Sequence, residues 1–96
     1  MDLYISFKAD GLESYMQRLI SDDMPDTVRQ QSQAFDRGSE LWKSFAIRVG
    51  GSTIFLSSGE GQVMVLVGRV DGLKSLWKEY AACVGMPVSI GVGMKL

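Results

Sequence analysis

Histidine is absent from this 96-residue chain, and cysteine occurs once, at Cys83. Without histidine, the chain has no Ser/His/Asp or Cys/His catalytic group, no imidazole metal ligand and no imidazole acid–base chemistry. A single cysteine forms no internal disulfide. Any metal bound here is therefore expected to be a hard cation held by carboxylate and backbone oxygens.

Long apolar runs and an excess of either charge are also missing. No stretch approaches the roughly 18 apolar residues of a membrane span, and the first residues lack the basic and apolar segments of a signal peptide. Ten basic and eleven acidic residues leave a net charge of −1, which gives no general attraction to nucleic acid or to an anionic membrane. We expect a cytoplasmic protein without a DNA, RNA or membrane partner.

Hydrophobic residues make up 46% of the chain, which is ordinary for a globular protein, so residues 1–96 are expected to form a single domain. Four strands are predicted. Apolar residues alternate in Leu3–Phe7 and from Val88 to Met94, and the short segments Thr53–Ser57 and Val63–Val67 complete the set. Helical spacing predicts three helices, which begin after Asp10, near Pro25 and after Asp71. The second is expected to end near Phe45.

Local signals refine these elements. Asp10 and Glu13 have the spacing of a capping box, and Asp71 is placed to cap the third helix. The nearly continuous apolar run Val63–Val67 predicts a central strand buried on both faces. The helical spacing of the large aromatic residues predicts that three of them lie in the core: Trp42, Trp77 and Tyr80.

The element order β-α-α-β-β-α-β predicts an α+β domain of ferredoxin-like, palm-type topology with its helices on one face. Right-handed crossovers make the first and second strands parallel, with the third between them. The hairpin turn Ser58–Gly61 then lies at the edge where the first strand ends. Lys8, Asp10 and Glu60 are therefore expected to meet at that edge.

Four segments carry a family resemblance: Tyr4–Gly11 (YISFKADG), Gly50–Phe55 (GGSTIF), Ser58–Gly61 (SGEG) and Pro87–Gly93 (PVSIGVG). Together they resemble the minimal CRISPR-polymerase-like (mCpol) nucleotide cyclases, which are relatives of GGDEF domains and of archaeal GTP cyclohydrolase III. The resemblance implies a palm in which acidic residues at the first strand and the hairpin turn hold Mg²⁺ and a nucleoside triphosphate.

The chain departs from that family at the metal ligands. Lys8 stands where the family's first strand has a ligand aspartate, and Asp10 matches the second acidic position. Glu60 matches the first carboxylate of the turn, whereas Gly61 falls on the second and has no side chain. In another register Gly50–Thr53 falls on the turn motif and leaves it without a carboxylate. The family's closing helix, with its phosphate-binding lysine, has no counterpart before Leu96.

The resemblance implies a nucleotide site at this edge made by seven residues: Lys8, Asp10, Gly11, Ser57, Ser58, Gly59 and Glu60. Asp10 and Glu60 are the candidate catalytic and metal-binding residues, with Mg²⁺ expected if a nucleotide is bound. Arg48 and Lys95 are further candidate phosphate contacts. The alternative for Asp10 is a helix cap, and for Lys8 and Glu60 it is plain solvation.

Three functions remain open. The first is a degenerate domain that binds a nucleotide or cyclic nucleotide, in a signalling or antiviral-defence setting, with little or no catalysis. The second is an active, Mg²⁺-dependent minimal cyclase that makes cyclic oligonucleotides. The third is a protein-interaction module without a small ligand, whose uncovered sheet edge pairs with another chain, including a second copy of itself.

Overall fold

A computed structural model describes residues 2–66, 68 and 72–95. They form a four-stranded sheet in the order β2-β3-β1-β4, in which all neighbouring strands are antiparallel. The strands are β1 Asp2–Ala9, β2 Ser52–Ser57, β3 Glu60–Leu66 and β4 Val88–Lys95, and the helices are α1 Leu12–Ser21, α2 Pro25–Arg48 and α3 Leu73–Val84. The predicted small ferredoxin-like α+β fold is confirmed.

The centre of the core is a cluster of aromatic rings from three elements. Phe7 of β1 stacks on Trp42 of α2 with ring centroids 4.0 Å apart and planes 2° apart. Tyr80 of α3 meets the Phe7 ring edge-on at 5.1 Å. Aromatic pairs in these arrangements contribute about 0.5–1.5 kcal/mol beyond the burial of their area. The cluster therefore fixes both long helices against the same face of the central strand.

Gly61 makes room for this cluster. A Cβ atom there would lie 2.7 Å from Cζ of Phe7, closer than side-chain carbons approach in proteins. In the middle of α2, Gly38 faces Tyr80, and a Cβ there would lie 3.4 Å from its ring carbons, an ordinary van der Waals contact. Gly38 therefore weakens α2 by its low helix propensity without being required by the packing.

The helix termini differ from the sequence prediction. Gly11, at φ 73°, is the N-cap of α1, and no side chain caps the helix. The predicted capping box of Asp10 and Glu13 is therefore wrong. Gly72 is the N-cap of α3, and Asp71 lies outside the described residues. Pro25 occupies the first turn of α2, as predicted, because proline needs no partner for an N–H there.

Only one face of the sheet is covered by helices. In β3 the side chains alternate: Val63 and Val65 are buried, Met64 is partly exposed and Leu66 is 51% exposed. The prediction of a strand buried on both faces is wrong for this reason, and Val67 lies outside the described residues. We call the uncovered side of the sheet the open face.

The core stops short of the β4 edge. Trp42 and Tyr80 are fully buried, as predicted, but Trp77 is 43% exposed, so its predicted place in the core is wrong. Val92 and Met94 lie on the helix side of β4 and are also exposed. Within the described part of the chain, no helix is long and apolar enough to cross a membrane.

The hydroxyl of Tyr80 generates a test of this core. It is buried and has no hydrogen-bond partner among the described residues, and such a group costs about 1–3 kcal/mol. We expect Tyr80→Phe to raise the free energy of unfolding by about 1 kcal/mol at pH 7. Chemical denaturation measures the change, with Tyr15→Phe on α1 as the control, expected within about 0.5 kcal/mol of wild type.

The same hydroxyl predicts a pH dependence. Burial, and secondarily the nearby Cys83, raises the pKa of Tyr80 from 10.0 to about 12. The folded state therefore keeps this proton after the unfolded state has lost it, so stability is full below pH 10 and falls as the pH rises toward 12. Wild type should lose roughly 2 kcal/mol more than Tyr80→Phe across this interval. Equal losses of unfolding free energy in the two proteins would contradict the raised pKa of the Tyr80 hydroxyl.

Candidate functional site

The inward position of Phe7 turns its neighbour Lys8 onto the open face, because successive strand residues point to opposite sides. Lys8 lies opposite Glu60 of β3 on one side and Ser89 of β4 on the other. Glu60 in turn lies opposite Ser57 of β2. Four polar residues, one from each strand, therefore cross the open face at this end: Ser57, Glu60, Lys8 and Ser89. We call them the polar row.

Backbone hydrogen bonds join the surrounding loops to the end of β1. The N–H of Ala9 donates to the carbonyl of Gly59 at 2.7 Å, and the N–H of Asp10 donates to the carbonyl of Pro87 at 2.8 Å. The Asp10 carboxylate accepts a hydrogen bond from the Ser89 hydroxyl, with both oxygens at 2.8 Å. Asp10 thus braces the start of β4 rather than the start of α1.

The hairpin turn between β2 and β3 packs under the start of α1. Gly59 is buried at φ 82°, and a Cβ atom there would lie 2.5 Å from Cδ2 of Leu12. A larger residue would therefore displace the Leu12 side chain. This contact holds Ser58 and Gly59 beside Gly11, the residue at which α1 begins.

Lys8 lies between two hollows. One, of about 440 Å³, opens on the open face and includes Ser6, Phe55 and Gly91 as well as three members of the polar row. The other, of about 200 Å³, is lined by Lys8 and the first turn of α1, including Glu13. Because no side chain caps α1, its first N–H groups are available to an anion near Lys8.

The next row of the open face is less polar. Phe55, Gln62, Ser6 and Gly91 are its cross-strand members. Nε2 of Gln62 donates to the Ser6 hydroxyl at 3.1 Å, and Phe55 is 49% exposed. Gly91 leaves open space above β4. A flat aromatic group therefore has a ring to contact at Phe55, one row and two strands from Lys8.

Negative charges outnumber positive ones at this end of the sheet. Lys8 lies among three carboxylates, those of Asp10, Glu13 and Glu60. None of them forms an ion pair with Lys8 within 4 Å. The ion pair among residues 2–66, 68 and 72–95 joins Arg29 to Asp26 on α2, with the charged atoms 3.9 Å apart. In the same residues, no three acidic or cysteine side chains gather around a common point that could hold a metal.

The structure brings together the residues predicted for the nucleotide site. Lys8, Asp10 and Glu60 meet at one end of the sheet as the topology predicts, with Ser57 beside Glu60 and with Gly11, Ser58 and Gly59 in the adjoining turns. Their role as ligand or metal contacts stays a prediction. Gly61 cannot stand in for a turn carboxylate, because this position faces the ring of Phe7.

Two further predicted phosphate contacts lie elsewhere. Arg48 lines a hollow of about 500 Å³ between α2 and α3, close to Gly72. Lys95 pairs with Asp2 at the opposite end of the sheet. Neither position lies at the polar row, so solvation remains the expectation for both. The sequence reasoning missed Ser89 as a site residue, although the alternation of Val88 to Met94 already placed it on the polar side of its strand.

Comparison with known proteins gives no relative: no family model, no curated protein and no solved structure matches this chain. The site is therefore interpreted from its own geometry.

Two glycines with positive φ at this end provide a matched pair of substitutions. Gly59→Ala adds a Cβ against Leu12, whereas Gly11→Ala adds one in open space at a similar φ of 73°. We expect Gly11→Ala to cost about 1 kcal/mol for its backbone alone. Gly59→Ala should cost about 1 kcal/mol more than Gly11→Ala, because the Leu12 side chain must also move. Equal costs, measured by thermal or urea unfolding, would show that the turn does not press on Leu12.

Proposed function

We propose that the domain binds a nucleotide, or a cyclic nucleotide, together with Mg²⁺ at the polar row, and that it does not catalyse a reaction of the nucleotide. The observation that carries the proposal is the position of Lys8 in a row of polar groups with an exposed aromatic ring beside it. A cation, hydroxyls and free helix N–H groups are what a phosphate requires, and an aromatic ring suits a base.

The distances along the strands fit a mononucleotide. Phe55 and Ser57 are two residues apart on β2, which corresponds to about 7 Å along a strand. A phosphate held at Lys8 therefore leaves the base above the second row, on the Phe55 side of the sheet, two strands from Lys8. The hollow of about 440 Å³ at this position has the volume of a small-ligand site.

The charge balance makes Mg²⁺ part of the ligand. One lysine among Asp10, Glu13 and Glu60 leaves a surplus of negative charge that repels free phosphates. Mg²⁺ is commonly held by one or two carboxylates plus the phosphates of its ligand. Asp10 and Glu60 provide such oxygens, so the donor set fits one ion brought in with the phosphates.

Two-metal catalysis requires more carboxylate ligands than this end of the sheet contains. Two ions that activate a hydroxyl and stabilise a leaving pyrophosphate need several carboxylates in fixed positions. Asp10 and Glu60 supply carboxylates for one ion, and the next position of β3, Gly61, faces the core. Lys8 holds charge at the strand position without activating a nucleophile, which favours binding over turnover.

Isothermal titration with ATP, GTP and cyclic dinucleotides, with Mg²⁺ or with EDTA, tests the proposal. We expect saturable binding of at least one nucleotide with Mg²⁺ and at least tenfold weaker binding with EDTA. Lys8→Gln should weaken the binding by about tenfold or more, because it removes the charge that meets the phosphate. Lys43→Gln, which alters an exposed lysine on α2, should leave it unchanged.

Three outcomes are informative against this view. Absence of binding at millimolar nucleotide with Mg²⁺ contradicts the function itself. Equal losses for Lys8→Gln and Lys43→Gln contradict the site. Release of pyrophosphate from ATP or GTP, abolished by Glu60→Gln, would instead establish the active minimal cyclase.

A further inference from the structure

The edge of β4 presents unpaired backbone groups. The N–H of Asp10 donates to the carbonyl of Pro87, so the backbone groups of Pro87 point toward β1. In an antiparallel pair this direction alternates, and the backbone N–H and C=O groups of every second residue of β4 after Pro87 point away from β1. Ile90, Val92 and Met94 therefore direct their N–H and C=O groups away from β1. In the described part of the sheet no strand lies on that side.

A contact made by Trp77 supports this register and marks where the open edge begins. Its indole Nε1–H donates to the carbonyl of Val88 at 2.7 Å, the first outward carbonyl in the alternation. Trp77 thus closes the start of the edge and leaves Ile90 to Met94 open.

The two edges of the sheet differ in how they are protected. At the other edge, β2 has an irregular register between Thr53 and Phe55, a feature that discourages pairing with another chain. Strand β4 pairs with β1 over eight residues without a shift. From Val88 to Met94 it contains no charge and no proline. Natural sheets usually place a charge, a proline or a bulge on such an edge.

Side chains beside this edge add apolar surface and positive charge. Val92 and Met94 are exposed on the helix side of β4. On the outer side of α3, Trp77 and Ala81 line a hollow of about 240 Å³ with two exposed lysines, Lys74 and Lys78. A strand added to β4 would place its helix-side residues against this surface.

We propose that β4 accepts an extended, acidic segment of a partner protein as a fifth strand of the sheet. The backbone of Ile90 to Met94 supplies the hydrogen bonds, and Trp77, Val92 and Met94 contact apolar side chains. Lys74 and Lys78 select acidic ones. This mode of recognition combines backbone pairing for affinity with alternate side chains for specificity.

Charge argues against a second copy of this chain as the occupant. Antiparallel pairing of β4 with itself would set the two α3 helices side by side across the new seam. Lys74 and Lys78 of both copies would then share that seam, and like charges brought together oppose association. An acidic segment has the complementary charge.

Two synthetic eight-residue peptides test the proposal with the full chain. Both have threonine at alternate positions; the intervening four are Glu, Val, Val and Glu in one and Lys, Val, Val and Lys in the other. Trp77 fluorescence reports binding, since it is 43% exposed while Trp42 is fully buried. We expect a blue shift with the acidic peptide and affinity at least tenfold above that of the basic one.

Two variants separate the charge from the backbone. The double variant K74E/K78E keeps the fold and should reverse the preference between the peptides. Val92→Pro removes an outward N–H, without touching the pairs with β1, and should abolish binding of both. Equal affinity for both peptides, no binding at millimolar peptide, or self-association through β4 seen by sedimentation and lost in Val92→Pro, would each overturn the proposal.

Discussion

The stacking of Phe7 on Trp42 is the contact on which the rest of the structure depends. It joins the central strand to the longest helix, and the edge of Tyr80 adds the third helix to the same ring. Because strand side chains alternate, an inward Phe7 forces Ser6 and Lys8 outward, and a slip of one residue would exchange the two sets. The composition of the open face is thus a consequence of how the core is packed.

Glycine at position 61 makes that stacking possible and also limits the chemistry. The residue opposite Phe7 across the β1–β3 pair must lack a side chain, since a Cβ would overlap the ring. A carboxylate there would point at the aromatic cluster rather than at a ligand. The interior of this domain therefore excludes one of the acidic positions that the family resemblance would supply.

Much of the fold could be predicted from the sequence because its elements have strong periodicity and clear stops. The meeting of Lys8 with Glu60 followed from strand order and crossover handedness alone. The capping role predicted for Asp10 was wrong. Aspartate is a common N-cap residue, but here α1 begins at Gly11 and no side chain caps it. Trp77 was misplaced because helical spacing identifies a face of a helix, but not how far the sheet beneath it extends. The burial of β3 was overestimated because an apolar run does not reveal that helices cover a single face.

Two uncovered surfaces result from this one-sided arrangement, and they differ in chemistry. The polar row and its neighbours Asp10 and Glu13 set three carboxylates near one lysine, which is the basis of the proposal that a phosphate ligand brings its own cation. The β4 edge is apolar, with lysines beside it, and favours an acidic polypeptide. The polar row lies on the open face, whereas the apolar side chains of Val92 and Met94 beside the β4 edge lie on the helix side.

Diffraction from crystals soaked with a nucleoside triphosphate and Mg²⁺ would locate the ligand on the domain. We expect phosphate density on the open face beside the Lys8 ammonium, between Glu60 and Ser89, with the base over Phe55. Phosphate density in the hollow at Arg48 between α2 and α3, or a polar row that stays empty at saturating nucleotide, would contradict it.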